Sequence, residues 1–194
     1  IYFWIGGFGG AQQGYAAVKL LLYSLCGGLV MLAFVIGSVL LIDTERTRTD
    51  GWNSFYRMCR RAGIQEGGTF GNVKIIGMRG VSASEKRKEV IEKHITGKEY
   101  SLLLIDGVAD LVNDTNNVEQ AKNAQDWLKY LTANYDLSIF ATIHPNPGST
   151  KARGHTGGEM LRDAETALLI KDFEGAKVGT SDFEFGKNRN TAKM

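Results

Sequence analysis

The chain reads as an α/β domain with a mainly parallel central sheet covered by helices on both faces. Three observations predict this. Ser101, Leu102, Leu103, Leu104, Ile105, Asp106 and Gly107 form an apolar run of strand length that ends in a single carboxylate. Val39, Leu40, Leu41 and Ile42 form a second such run, ending in Asp43, Thr44 and Glu45, and residues 137–143 form a third that delivers His144. Continuous apolar runs of this length mark strands buried on both faces of a parallel sheet, and ligands of open α/β sheets bind at the carboxyl ends of such strands. Three strands bringing polar residues to one edge point to a nucleotide site.

The remaining elements come in order along the chain. Residues 2–5 read as a strand that runs into a glycine-rich turn at 6–14 and then a helix-like piece ending near Cys26. From 20 to 42 no residue is charged, a length formally sufficient to cross a bilayer. Gly27, Gly28, Gly37 and Ser38 punctuate that run, and no cluster of Lys or Arg flanks it closely, so a buried helix followed by a buried strand is the better reading and no membrane partner is expected. Trp52, Phe55, Tyr56 and Cys59, at i, i+3, i+4 and i+7, predict one apolar helical face, with Arg57, Arg60 and Arg61 toward solvent. Residues 73–76 read as a strand. Ser82 and Glu85 resemble a capping box opening a charged helix to about Ile95, with Val90 and Ile91 turned inward. A helix over 118–134 turns Ala121, Ala124, Leu128 and Leu131 toward the sheet. A Gly-, Pro-, Ser- and Thr-rich loop then precedes a short helix near 158–163 and strands at 166–170 and 181–185, where antiparallel pairing is possible.

Length and composition set the frame. With 194 residues, 43% hydrophobic and 23% charged, the chain fits a single domain over 1–194 with a sizeable core. A net charge of +2 is too mild to demand a nucleic-acid partner by itself. Cys26 and Cys59 are too few for a disulfide framework or a zinc site and read as free core thiols in a reducing, cytoplasmic setting. No internal repeat is evident.

The glycine-rich turn carries the first chemistry. Such a turn between a strand and a helix presents backbone N–H groups and a helix N-terminus to a phosphate. Gly9 and Gly14, with Gly10 and Gln13 between them, meet the glycine spacing of G-x-x-x-x-G-K-[ST], but Tyr15 and Ala16 stand where the lysine and hydroxyl residue belong. Lys19 lies one helical turn further on. No Gly-x-Ser-x-Gly elbow and no His-Glu-x-x-His pair is present, which argues against a serine or zinc hydrolase.

Four segments together resemble a RecA-type P-loop ATPase core, nearest the RepA/DnaB-like hexameric helicase branch of plasmids and mobile elements. They are 39–45, ending in Asp-Thr-Glu; 102–112, similar to a Walker B strand and its continuation; 143–165; and 186–190. The third is the most specific: His144, Pro145 and Asn146, then Lys151 through Glu159, then Arg162, Asp163, Ala164 and Glu165, in the family's order and spacing. The departure is Tyr15 and Ala16. The resemblance implies a three-layer RecA-like fold, ATP and Mg2+ as cofactors, DNA (single-stranded by preference) as partner, and a homo-oligomeric ring.

The resemblance also implies roles. Glu45 would be the general base for the attacking water, Asp106 the magnesium ligand, and His144 a sensor of the γ-phosphate. Gly9, Gly10, Gln13, Gly14, Tyr15 and Ala16 would line the nucleotide phosphates. Lys151, Arg153 and His155, in a polar segment spanning 146–158, would contact DNA. Lys187 and Arg189 resemble the K-x-R pair that reaches a neighbouring subunit's phosphate, a role suited to arginine's planar fork. Plainer alternatives stay open for each: a solvated Glu45, a turn Asp106, a turn His144, an idle loop and an exposed charge run. A non-hydrolysing binding or assembly module of the same fold is the alternative function, favoured by Tyr15 and Ala16.

Overall fold

The computed structural model describes residues 38–61, 72–146, 149, 151–172 and 181–188. The chain divides into two compact units, Leu29–Asp163, and Ile1–Gly28 with Ala164–Met194. Each is described by itself.

Among its described residues the larger unit holds four strands, β1 (Val39–Asp43), β2 (Val73–Gly77), β3 (Leu102–Asp106) and β4 (Ser138–Ala141), in the order β2-β1-β3-β4. Every pairing is parallel, and β1 and β3 align residue for residue from Val39 opposite Leu102 to Asp43 opposite Asp106. The connecting helices are α1 (Arg48–Arg61), α2 (Ser84–Ile95) and α3 (Val118–Tyr135), with a single 3-10 turn at Val108–Leu111 and a further helix α4 (Gly154–Asp163) after β4. The expectation of an α/β architecture with a parallel sheet is met.

Side-chain alternation along the central strands sorts the core into two layers. Leu40, Ile42, Leu103 and Ile105 cluster with Ile91 and Ile95 of α2 and with Leu128 and Leu131 of α3. Leu41, Ile75 and Leu104 share a register row on the opposite face, where α1 lies so close that a Cβ on Gly51 would meet the Ile75 side chain at 3.2 Å. Right-handed crossovers explain this arrangement, because the connection from β1 to β2 runs one way along the sheet while those from β2 to β3 and from β3 to β4 run the other way.

Local chemistry sets the element ends, not always as the sequence suggests. Asn117 caps α3, its side chain accepting the Gln120 N–H at 3.0 Å, and Asp136 ends it in the left-handed conformation at φ 48°. The Ser82/Glu85 capping box does not form: α2 begins at Ser84 with Ala83 as its N-cap, and Glu85 pairs with Lys88 at 3.0 Å. On α1 the buried face is Gly51, Ser54 and Phe55, while Tyr56 is 49% exposed. Only small residues let α1 approach β2, so the helix turns Gly51 and Ser54 inward and Tyr56 swings out. The helix expected near 158–163 starts at Gly154. There the segment's glycines serve packing: Gly154, at φ 62°, passes so close to Thr115 that a Cβ would lie 2.5 Å from its carbonyl oxygen, and a Cβ on Gly157 would lie 2.6 Å from that of Ala152.

The described part of the smaller unit is an antiparallel pair, β5 (Thr166–Asp172) with β6 (Ser181–Asn188), with an irregularity between Ala167 and Leu168.

Candidate functional site

The direction of the crossovers reverses between β1 and β3. Such a reversal opens a crevice outside the carboxyl ends of the two strands, because their following segments leave toward opposite faces. Asp43 and Asp106 are register partners at this point and project to the same face of the sheet.

Their surroundings differ. Asp43 is 4% exposed, and its Oδ1 accepts the backbone N–H groups of Glu45 (3.2 Å) and Arg46 (2.9 Å), closing a tight turn after β1. The Arg46 guanidinium stands 3.7 Å from Oδ2, beyond hydrogen-bond reach. Burial, then the neighbouring Asp106 charge, push the Asp43 carboxyl up to about 7, against the opposing pull of the two N–H groups. Asp106 is half-buried, and its Oδ1 accepts the Thr142 hydroxyl at 2.7 Å.

Thr44 laces the two strand ends together. Its N–H donates to the Asp106 carbonyl at 2.7 Å, and its hydroxyl accepts the Gly107 N–H at 3.0 Å while facing the Asp106 and Gly107 carbonyls at 3.1 Å. The Asp106–Gly107 peptide is cis. The turn bearing Glu45 then carries its side chain over the end of β3 to His144, which follows β4, with Glu45 Oε1 3.6 Å from His144 Nε2. Both side chains are exposed enough to meet a solute. An imidazole beside a carboxylate in this way can orient it or share a proton with it.

Glu45, Asp106 and His144, all singled out from sequence, thus come to one sheet edge. Asp43, Thr44 and Thr142 were not singled out, although Asp43 is detectable: Leu-Ile-Asp ends both central strand runs, so the two carboxylates must be neighbours wherever those strands pair. Lys151 and Arg153 are exposed in the segment between β4 and α4, whose base is held by Asn146 N–H to the Lys151 carbonyl (2.9 Å) and Arg153 N–H to the His144 carbonyl (3.1 Å). His155, read as a loop residue, is exposed in the first turn of α4. Lys187 lies on β6 opposite Ala167. Gly9, Gly10, Gln13, Gly14, Tyr15, Ala16 and Arg189 lie outside the described residues.

Among the described residues no group of three or more His, Cys, Asp and Glu side chains is gathered as a metal cage. Magnesium does not need one, since it is held by one or two carboxylates, waters and the oxygens of a bound phosphate. Asp106, half-buried and steadied by the Thr142 hydroxyl on Oδ1, fits that demand. Among the described residues no helix is long and apolar enough to cross a membrane.

No family model matches the chain. Among curated proteins it is similar to NADH-quinone oxidoreductase subunit M of Mycobacterium tuberculosis, from strains CDC 1551 / Oshkosh and ATCC 25618 / H37Rv, at 68% identity over 38 residues in each case. That stretch is 19% of this chain and 7% of the length of the subunit, so the likeness is to a short piece.

Proposed function

We propose that the chain is an ATP-binding motor domain of RecA/DnaB type, of the kind used in replication or mobilisation, that couples ATP hydrolysis at subunit interfaces to DNA binding or unwinding. One observation carries the reading: Glu45, Asp106 and His144, the residues that the resemblance puts in catalytic roles, converge at the reversal point of a parallel sheet. In this reading Glu45 accepts a proton from the attacking water, because water is a poor nucleophile until a carboxylate takes that proton. His144 holds the Glu45 carboxylate over the end of β3. Asp106 would hold magnesium, whose charge neutralises the phosphate oxygens. The turn locked by Asp43 and Thr44 fixes where Glu45 stands. Lys187 and Arg189 would act on a neighbouring subunit's nucleotide, and Lys151, Arg153 and His155 on DNA.

The second reading, a non-hydrolysing module of the same fold, is favoured by Tyr15 and Ala16 in place of the phosphate-binding lysine and hydroxyl. The experiment is magnesium-dependent ATP binding by calorimetry with an ATPase assay, with and without single-stranded DNA, on this chain and on Asp106→Ala. DNA-stimulated turnover lost in the variant supports the motor. Binding without turnover, or no binding at all, overturns the motor and leaves the non-hydrolysing module.

A further inference from the structure

Helix α4 is held differently from α2 and α3. Those two bury Ile91 and Ile95, and Leu128 and Leu131, in the core. Within α4 only Thr156 and Gly157 are buried; Met160 is half-buried against the core, and Leu161 is 40% exposed. Three of its ten residues are glycine, the weakest helix former after proline. A helix in a folded chain draws most of its stability from a packed apolar face, and α4 has little of one. Polar contacts at its two ends take that place. At the amino end the Thr156 N–H and hydroxyl both donate to the Thr115 carbonyl, at 3.0 and 3.2 Å. At the carboxyl end the Asp163 carboxylate meets the Lys129 ammonium of α3, which also stands 3.9 Å from Asp126. The hydrogen bond from Lys129 holds the Asp163 carboxyl below its ordinary value. Lys129 and Asp163 join α3 to α4, whereas the Glu159–Arg162 pair lies within α4.

The first turn of α4 is tied to the crevice. The Gly157 N–H donates to the Arg153 carbonyl at 2.9 Å, and the Arg153 N–H donates to the His144 carbonyl at 3.1 Å. Segments with few buried apolar contacts open at a lower free energy than central strands do. We infer that α4 is a latched element, which opens from α3 by local unfolding while the sheet stays intact, with Lys129–Asp163 as the latch, and that its opening frees the backbone at His144. Half the Lys129 side chain is open to water, so salt screens the latch. The apolar packing of β1 and β3 has no such sensitivity. The device goes beyond the ATPase reading and operates whether or not a nucleotide is bound.

The test is amide hydrogen exchange, read by mass spectrometry on the full chain at fixed pH, in about 0.05 M and about 1 M sodium chloride. Peptides covering 154–163 are compared with peptides covering β1 and β3. Wild type is set beside Lys129→Gln and beside Lys122→Gln, which alters an exposed lysine of the same helix outside the latch. In wild type at low salt, α4 should exchange at least about tenfold faster than the two strands. High salt, or Lys129→Gln at low salt, should raise that ratio about two- to fivefold, the scale of one exposed ion pair, and Lys122→Gln should leave it unchanged. Exchange of α4 as slow as that of the strands overturns the latch, and that comparison needs no variant. A ratio that moves with neither salt nor Lys129→Gln, or that moves equally in Lys122→Gln, also overturns it. So does acceleration of α4 and the strands together in Lys129→Gln, which would make the pair a support of the whole domain. ATP enters none of these measurements, so failure of the motor reading and failure of the latch are distinguishable.

Discussion

The ends of β1 and β3 share a sequence, Leu-Ile-Asp, a register row and a face of the sheet, yet their carboxylates differ. Asp43 is enclosed and spent on the two N–H groups of its own turn, whereas Asp106 is half-buried and held by one hydroxyl. The cause lies in the path of the chain beyond each strand. After Asp43 the chain turns sharply back so that Glu45 and Arg46 fall within reach of its side chain. After Asp106 it runs through Gly107 into a 3-10 turn that leaves the carboxylate facing the crevice. One motif therefore yields a carboxylate that shapes the loop and another that is available for chemistry.

The sharpest test of that division is Asp106→Ala. On the motor reading proposed above, it should cut ATP turnover by about a hundredfold or more, the scale of losing one charge-stabilising group. Stability should fall by no more than about 1 kcal/mol, the cost of the lost hydrogen bond from Thr142 being partly offset by removal of a like charge beside Asp43. A large fall in melting temperature would make Asp106 a structural residue and break the comparison.

Asp43→Asn should act on stability and its pH dependence instead. The folded-state carboxyl, near 7, lies above its ordinary value of 3.8, so the folded protein binds the proton more tightly. The contribution of Asp43 to stability is then fully present below about pH 4 and is lost as pH rises toward 7, by a few kcal/mol in total, since one pKa unit is worth about 1.4 kcal/mol. Thermal melts from pH 4 to 8 should show this fall in wild type and a nearly flat profile in Asp43→Asn. Asp106→Asn should pull the upper end of the window below pH 7. A wild-type profile that rises with pH would refute the assignment.

Two smaller effects refine the picture. Gly77, at the end of β2, abuts the backbone of Thr47 and Arg48, so Gly77→Ala pushes the turn after β1 aside and should cost about 1–3 kcal/mol in urea unfolding. Thr142→Val removes the hydroxyl bound to Asp106 and should cost about 1 kcal/mol, with no change in the Asp43 pH window. If Gly77→Ala costs nothing, the turn is not braced by β2.

Strand positions were legible because β1 and β3 are apolar on both faces and too short for anything else. Of the residues singled out from sequence, Asp106 ends a strand and Glu45 and His144 follow one within three residues, which is why the three come to one sheet edge. The features that could not be read depended on packing across elements. Tyr56 fits the helical period as well as Phe55 does, and only the close approach of Gly51 to Ile75 decides which is buried. Glycines at 154 and 157 look like loop and are helix, because their reason is contact with Thr115 and Ala152. Asp43 and Asp106 look equivalent until the turn after each strand is seen.

The in-register pairing of β1 and β3 has a consequence for positional entropy. Neighbouring strands lie about 4.8 Å apart, a spacing set by the hydrogen-bond lattice of the backbone rather than by side-chain rotamers. The separation between the Asp43 and Asp106 backbones is therefore fixed as soon as the sheet forms, and a slip of one residue would turn one carboxylate to the opposite face. Positioning these two acids against each other adds no further ordering cost when a solute enters the crevice.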